Sequence, residues 1–188
     1  MRTTGSMTAV RWLDAQLVVP RADRGERIVC YAGALAGTVF AVALALHAGY
    51  AALPLIVVAV VAFDLFGGTV VNATRSAKRR FHRPGRTARH HLTFVAVHVQ
   101  PFVLALLVPG FGWAAAGVVY GVVLGGAAVV LAAPANLRRP VAFAASAMAI
   151  TVTSTGADLP RELAWFAPVL VIKLLLAHLL PEEENVSG

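Results

Sequence analysis

The sequence is short of charge. Only 13% of its 188 residues are Asp, Glu, Lys or Arg, against roughly 25% in an average globular chain. With 59% hydrophobic residues, that is too little to cover a soluble domain of this size. Cysteine is nearly absent. Cys30 stands alone, so no intrachain disulfide is possible and the redox compartment is not readable. Several catalytic signatures are missing as well. There is no G-x-S-x-G, H-E-x-x-H or D-D-x-x-D string, which sets aside serine hydrolases, zincins and aspartate-rich prenyl-diphosphate enzymes. The six histidines include one adjacent pair, His90–His91, and lack the tight boxes of a membrane diiron site.

Long apolar runs are what the sequence has instead. Several approach the roughly 20 residues that cross a bilayer. Six spans are expected, at 28–47, 51–72, 91–108, 112–133, 140–155 and 163–180. The fold class is therefore an all-α, polytopic integral membrane bundle of six transmembrane helices. The expected organisation is an N-terminal segment 1–27, a transmembrane domain 28–180 containing a basic loop 73–90, and an acidic tail 181–188. Residues 1–27 carry scattered charge and show no apolar core of a cleavable signal peptide. Within them, "AVRWLDAQLVV" reads as an interfacial amphipathic helix anchored by Trp12, or as a partly ordered tail.

The net charge of +7 is concentrated in a few segments. It falls on the first segment, on "RSAKRRFHRPGRTAR" after span two, and on Arg138–Arg139 after span four. Six spans put all three on one side, and Arg161 is the single basic residue of the opposite loops. By the positive-inside rule the basic side is cytoplasmic, with both termini there and the protein multi-pass in the cell membrane. Charge arranged this way points to lipid and topology, not to nucleic acid.

Small residues give packing expectations. Gly33 and Gly37 are one turn apart in span one, and Gly117, Gly121 and Gly125 repeat that spacing in span four. Such faces allow close helix approach, between spans one and four or across a homodimer.

Polar groups inside spans are costly and mark cavities or partners. Counted from the cytoplasmic helix ends, Asp64, His98 and Lys173 all lie roughly 10–12 Å deep. Nearer the surface are Asn72, Thr74, His90, His91 and His178. Asp64, Gly68 and Asn72 step by four along one face of "AFDLFGGTVVNAT", leaving a gap at the glycine for a helix or a ligand. Gln100 precedes Pro101, which removes a backbone donor and frees a carbonyl. Each feature has a plainer alternative. Lys173 snorkels, Asp64 sits in a structural ion pair, and His98 is a hydrogen-bonded core histidine. The hydroxyls Thr151, Thr153, Ser154 and Thr155 bond their own helix's carbonyls.

General acid–base chemistry fits this pattern best. The candidate catalytic residues are Asp64, His98 and Lys173. An apolar surrounding disfavours a charged carboxylate, which makes Asp64 the candidate proton donor. His98 would return a proton, and Lys173 and Asn72 would orient a polar head. Gly68, Asn72, Thr74, His91, Gln100 and His178 are the candidate substrate-binding residues. Arg75, Lys78, Arg79 and Arg80 are the candidates for a headgroup or phosphate. The reaction would be isomerisation, cyclisation or hydrolysis of a lipophilic, isoprenoid- or lipid-like substrate. The alternatives are a proton-coupled small transporter on the same residues, a lipid-binding scaffold, and a metal site. No cofactor is expected, because His91, His98 and His178 with Asp64 make a thin ligand set.

Overall fold

The computed structural model describes residues 22–182, and every regular element among them is helical. Helix α1 runs Arg24–His47 and α2 runs Ala52–Ala73. A short α3, Arg75–Phe81, leads into the basic loop. Next come α4, Ala88–Ala96, and α5, Gln100–Leu107, followed by α6, Trp113–Ala132. After a 3₁₀ turn, α7 runs Arg138–Gly156. A second 3₁₀ turn precedes α8, Phe166–Val171, which continues as a π-helix over Ile172–His178. The expected interfacial helix around Trp12 and most of the acidic tail lie outside the described residues.

Four helices are long and apolar enough to cross a membrane: Arg24–His47, Ala52–Ala73, Ala88–Leu107 and Trp113–Ala132. The third is α4 and α5 taken together. Six such helices were expected, and the two that fall short have physical reasons. Helix α7 has 19 residues, but Arg138, Arg139 and its hydroxyls dilute its apolarity. The stretch 163–180 is cut into a 3₁₀ turn, a six-residue α-helix and a π-helix. It is also the most enclosed part of the bundle. Leu163, Phe166, Leu170, Leu174, Leu175 and Leu179 are all fully buried. A helix mostly wrapped by other helices meets little lipid, so its length is not set by the bilayer alone.

The ends of the elements explain the loops. Asp23 caps α1 by accepting from Glu26 N at 2.8 Å, and Glu26 reaches back to Asp23 N. Thr74 caps α3, its hydroxyl accepting from Ala77 N at 3.2 Å. Gly49, Gly85 and Gly110 take φ of +76°, +87° and +80° at the turns, a region where a side chain is strained.

The glycine expectation is corrected. The row in α1 packs on α2, not on span four. A Cβ at Gly37 would lie 2.1 Å from Phe66 Cγ, and one at Gly33 would lie 2.9 Å from Val70 Cγ2. From the other side, a Cβ at Gly67 would lie 2.9 Å from Ala34 Cβ. Gly117, Gly121 and Gly125 of α6 meet nothing within 4 Å among the described residues.

Candidate functional site

The polar centre is assembled by three elements. Asp64 lies in the middle of α2, Gln100 opens α5, and Lys173 starts the π-helix. Lys173 Nζ donates to Asp64 Oδ2 at 2.7 Å and to the Asp64 carbonyl at 3.2 Å. Gln100 Nε2 donates to the same Oδ2 at 2.9 Å. The Lys173 side chain is 3% exposed and that of Asp64 is 47% exposed. The lysine therefore does not snorkel. It turns inward, and the gap left by Gly68 is where it fits. A Cβ at Gly68 would lie 2.5 Å from Lys173 Cε. Gly68 is a cradle for the lysine stem.

His98 reaches the same space from the break between α4 and α5. There His98 N bonds Val95 O, and the Phe94 carbonyl is left without its helical donor. The imidazole fills that vacancy, with Nδ1 2.6 Å from Phe94 O. A carbonyl only accepts, so Nδ1 carries the proton, and Nε2 of the neutral ring is an acceptor. The carbonyl that Pro101 leaves without its i+4 donor is a different one, Val97 O, which accepts from Val99 N at 2.9 Å.

Asp64, His98 and Lys173 line one cavity of about 380 Å³, whose wall does not include Gln100. Asp64, Gly68, Asn72, His98 and Lys173 share its wall with Tyr31, Phe63, Phe81 and Phe94. Five buried polar atoms lack a partner among the described residues, and two of them, Asn72 Nδ2 and Gln100 Oε1, belong to this group of side chains. Asn72 is a wall residue, and its idle donor is a ready contact for an oxygen-bearing group.

His91 and His178 do not join this cavity. They form a second cluster, with His91 Nδ1 3.2 Å from His178 Nε2. The cluster borders a separate cavity of about 200 Å³ with Arg86 and His90. Phe81 and Phe94 line both cavities and stand between them. The Phe94 ring stacks on His178 at 3.8 Å and lies 4.8 Å from His98. His82, absent from the sequence-based candidates, belongs here. Its ring stacks on His91 at 4.7 Å, and Nε2 donates to the His178 carbonyl at 2.9 Å. Burial lowers the His82 pKa, and its bond to that carbonyl partly offsets the shift. No sequence spacing signals this grouping, because His82 and His178 are 96 residues apart. Among the described residues no three His, Cys, Asp or Glu side chains converge as a metal site. His91 and His178 are joined to each other, and His98 faces the other cavity.

The basic loop is more occupied than expected. Lys78 Nζ donates to the carbonyls of Ala177 and Leu180, capping the end of the last helix. Burial pushes its pKa down to about 8. Arg75 pairs with Glu182 at 3.1 Å, and Arg79 donates to Ser76 Oγ at 3.3 Å. Glu26 accepts from Ser76 Oγ at 2.6 Å and from Ser76 N at 3.2 Å. Of the four headgroup candidates, Arg80 is exposed, Arg75 and Arg79 are exposed but engaged, and Lys78 is committed to structure. Thr74 is likewise an N-cap, and its hydroxyl also donates to Val71 O at 2.8 Å. The α7 hydroxyls behave as expected, with Thr151, Thr153 and Thr155 donating to carbonyls of their own helix.

No protein-family model, curated protein or solved structure matches this chain.

Proposed function

We propose that this protein is an integral membrane enzyme performing acid–base chemistry on a lipophilic, isoprenoid- or lipid-like substrate. One observation carries the reading. Asp64, His98 and Lys173, from three elements, meet on the wall of a single cavity with mostly apolar lining. Its volume, about 380 Å³, is within the usual range for small-molecule sites. The bundle is proposed to cross the membrane six times, with α7 and the stretch 163–180 as the fifth and sixth spans. The basic loop and both termini are then cytoplasmic, and the cavity opens toward that leaflet.

The roles follow from the hydrogen bonds. His98 Nε2 is the acceptor with no assigned partner in the cavity, so it is the base that removes a proton from substrate. Nδ1–H held by Phe94 O fixes the tautomer. Asp64 and Lys173 act as an ion pair that exchanges a proton with the substrate's polar group, with Gln100 holding the carboxylate in place. Asn72 Nδ2 supplies an orienting hydrogen bond. Isomerisation and cyclisation use such a donor–acceptor pair, and hydrolysis uses it together with a water molecule.

Asp64→Asn keeps an acceptor for Lys173 and Gln100, so folded yield should persist while turnover falls by at least about 100-fold, the usual scale for an acid–base group. Full turnover by that variant in a lipid-extract conversion assay would remove the assignment. A proton-coupled small transporter is the second reading. It draws on Lys173 and His178 sharing the π-helix, so a movement of that segment alters both polar clusters together. Net substrate flux driven by a pH gradient in proteoliposomes, without chemical conversion, would favour it over the enzyme.

A further inference from the structure

A second cavity lies apart from the one around Asp64 and is larger than it. It has a volume of about 590 Å³ and lies on the other side of the last helix. Ile172 and Leu176 face it, whereas Lys173 faces the Asp64 cavity. The two spaces share no lining residue. One end of the larger cavity is basic, with Lys78, Arg138 and Arg139. The rest is apolar, with Phe143, Ile172 and Leu176 among its walls.

Several independent features favour an anion at the basic end. Among the described residues no acidic side chain lines the cavity. Glu182, next to the lining residue Pro181, is held by Arg75. Arg138 Nε is buried without a hydrogen-bond partner among the described residues. A buried guanidinium N–H left unpaired costs free energy, and a phosphate oxygen would satisfy it with a charge-assisted bond. The 19-residue α7 also starts here with no side-chain cap, so its positive end adds to the same field. Lys78 is held against the carbonyls of Ala177 and Leu180 and forms a fixed part of the wall.

The apolar remainder identifies the kind of anion. A soluble phosphate would leave Phe143, Ile172 and Leu176 facing an empty space. A ligand with a phosphate at one end and a hydrocarbon chain at the other fills both halves. We propose that this cavity is a binding site for an anionic phospholipid. Its phosphate is held by Arg138 and Arg139 at the start of α7, and one acyl chain lies between α7 and the π-helix. The site is independent of the chemistry at Asp64.

The test uses the full-length protein, stripped of lipid in detergent and titrated by native mass spectrometry. The probes are dioleoylphosphatidylglycerol, dioleoylphosphatidylcholine and dioleoylglycerol, with inorganic phosphate as competitor. Phosphatidylglycerol should bind at least about tenfold tighter than dioleoylglycerol, which has no phosphate, the scale of one charge-assisted hydrogen bond, and tighter than phosphatidylcholine, whose choline cation would face the same basic end. Arg138→Gln combined with Arg139→Gln should remove both preferences. Ala135→Glu, at an exposed position on the cavity's edge, should do the same by offering the arginines a carboxylate. It also keeps the test decisive if the double variant fails to fold. Equal binding of phosphatidylglycerol and phosphatidylcholine by the unmodified protein overturns the site. Unchanged phosphatidylglycerol preference in the Ala135→Glu protein overturns its location. Displacement of the lipid by an equal concentration of inorganic phosphate overturns the role of the acyl chain.

Discussion

Lys173 and Asp64 form a pair with very unequal surroundings. The ammonium is 3% exposed, and the carboxylate is 47% exposed on the wall of a cavity. Removing one partner of a buried pair strands the other, at roughly 3–5 kcal/mol when the survivor is fully enclosed. Asp64→Ala should therefore cost about that much, because it leaves the enclosed lysine with only a backbone carbonyl and no counter-charge. Lys173→Met should cost clearly less, because Asp64 keeps Gln100 as a donor and borders open space. Chemical denaturation of the two variants in the same detergent gives the order, and a larger loss for Lys173→Met would refute it. The meeting of Asp64, His98 and Lys173 was legible from depth along their helices. The direction of the lysine was not, since a long stem reaches either the interface or the core equally well. Gly68 settles the direction, but only once the last helix is seen to lie over it. Thr74 and Lys78 carry a use that residue type alone did not reveal. Their types suit ligand binding, yet the ends of α3 and of the last helix needed caps and took them.

At the scale of elements, identical motifs have different fates. The glycines of α1 are filled by Phe66 and Val70, and those of α6 face open space. Gly37→Ala would set a methyl 2.1 Å from a ring carbon, and such overpacking typically costs about 1–3 kcal/mol. Gly121→Ala meets no neighbour and should leave the thermal midpoint of the monomer unchanged or slightly raised. A drop at Gly121 as large as at Gly37 would mean that α6 is covered by a second copy, which is where the expected homodimer face now has to be sought. The sequence could not separate these two rows, because spacing reveals a smooth face and not its partner. The same limit applies to the spans. Hydropathy finds segments that meet lipid, and the stretch 163–180 is apolar because it meets protein.

The whole bundle has a proposed orientation that three single-cysteine positions can check in a Cys30→Ser background. Ala48→Cys and Asp158→Cys lie at exposed turns on the proposed outer side, and Arg83→Cys lies in the exposed basic loop. A membrane-impermeant maleimide on intact cells should label the first two and reach Arg83→Cys only after lysis. Protection of Asp158→Cys would cancel the fifth crossing, and labelling of Arg83→Cys would invert the topology. The short α3 has a separate consequence at this scale. Through Lys78 on the carbonyls of Ala177 and Leu180, and Arg75 on Glu182, a loop of the first half grips the end of the second. Asp64–Lys173 and Tyr50–Glu162, at 2.7 and 2.8 Å, join the same two halves. None of these ties depends on the peptide bond between Pro109 and Gly110. The backbone there is expected to act only as a connector. Two co-expressed polypeptides, ending at Pro109 and beginning at Gly110, should find each other in the membrane and purify as one complex through a tag on either piece.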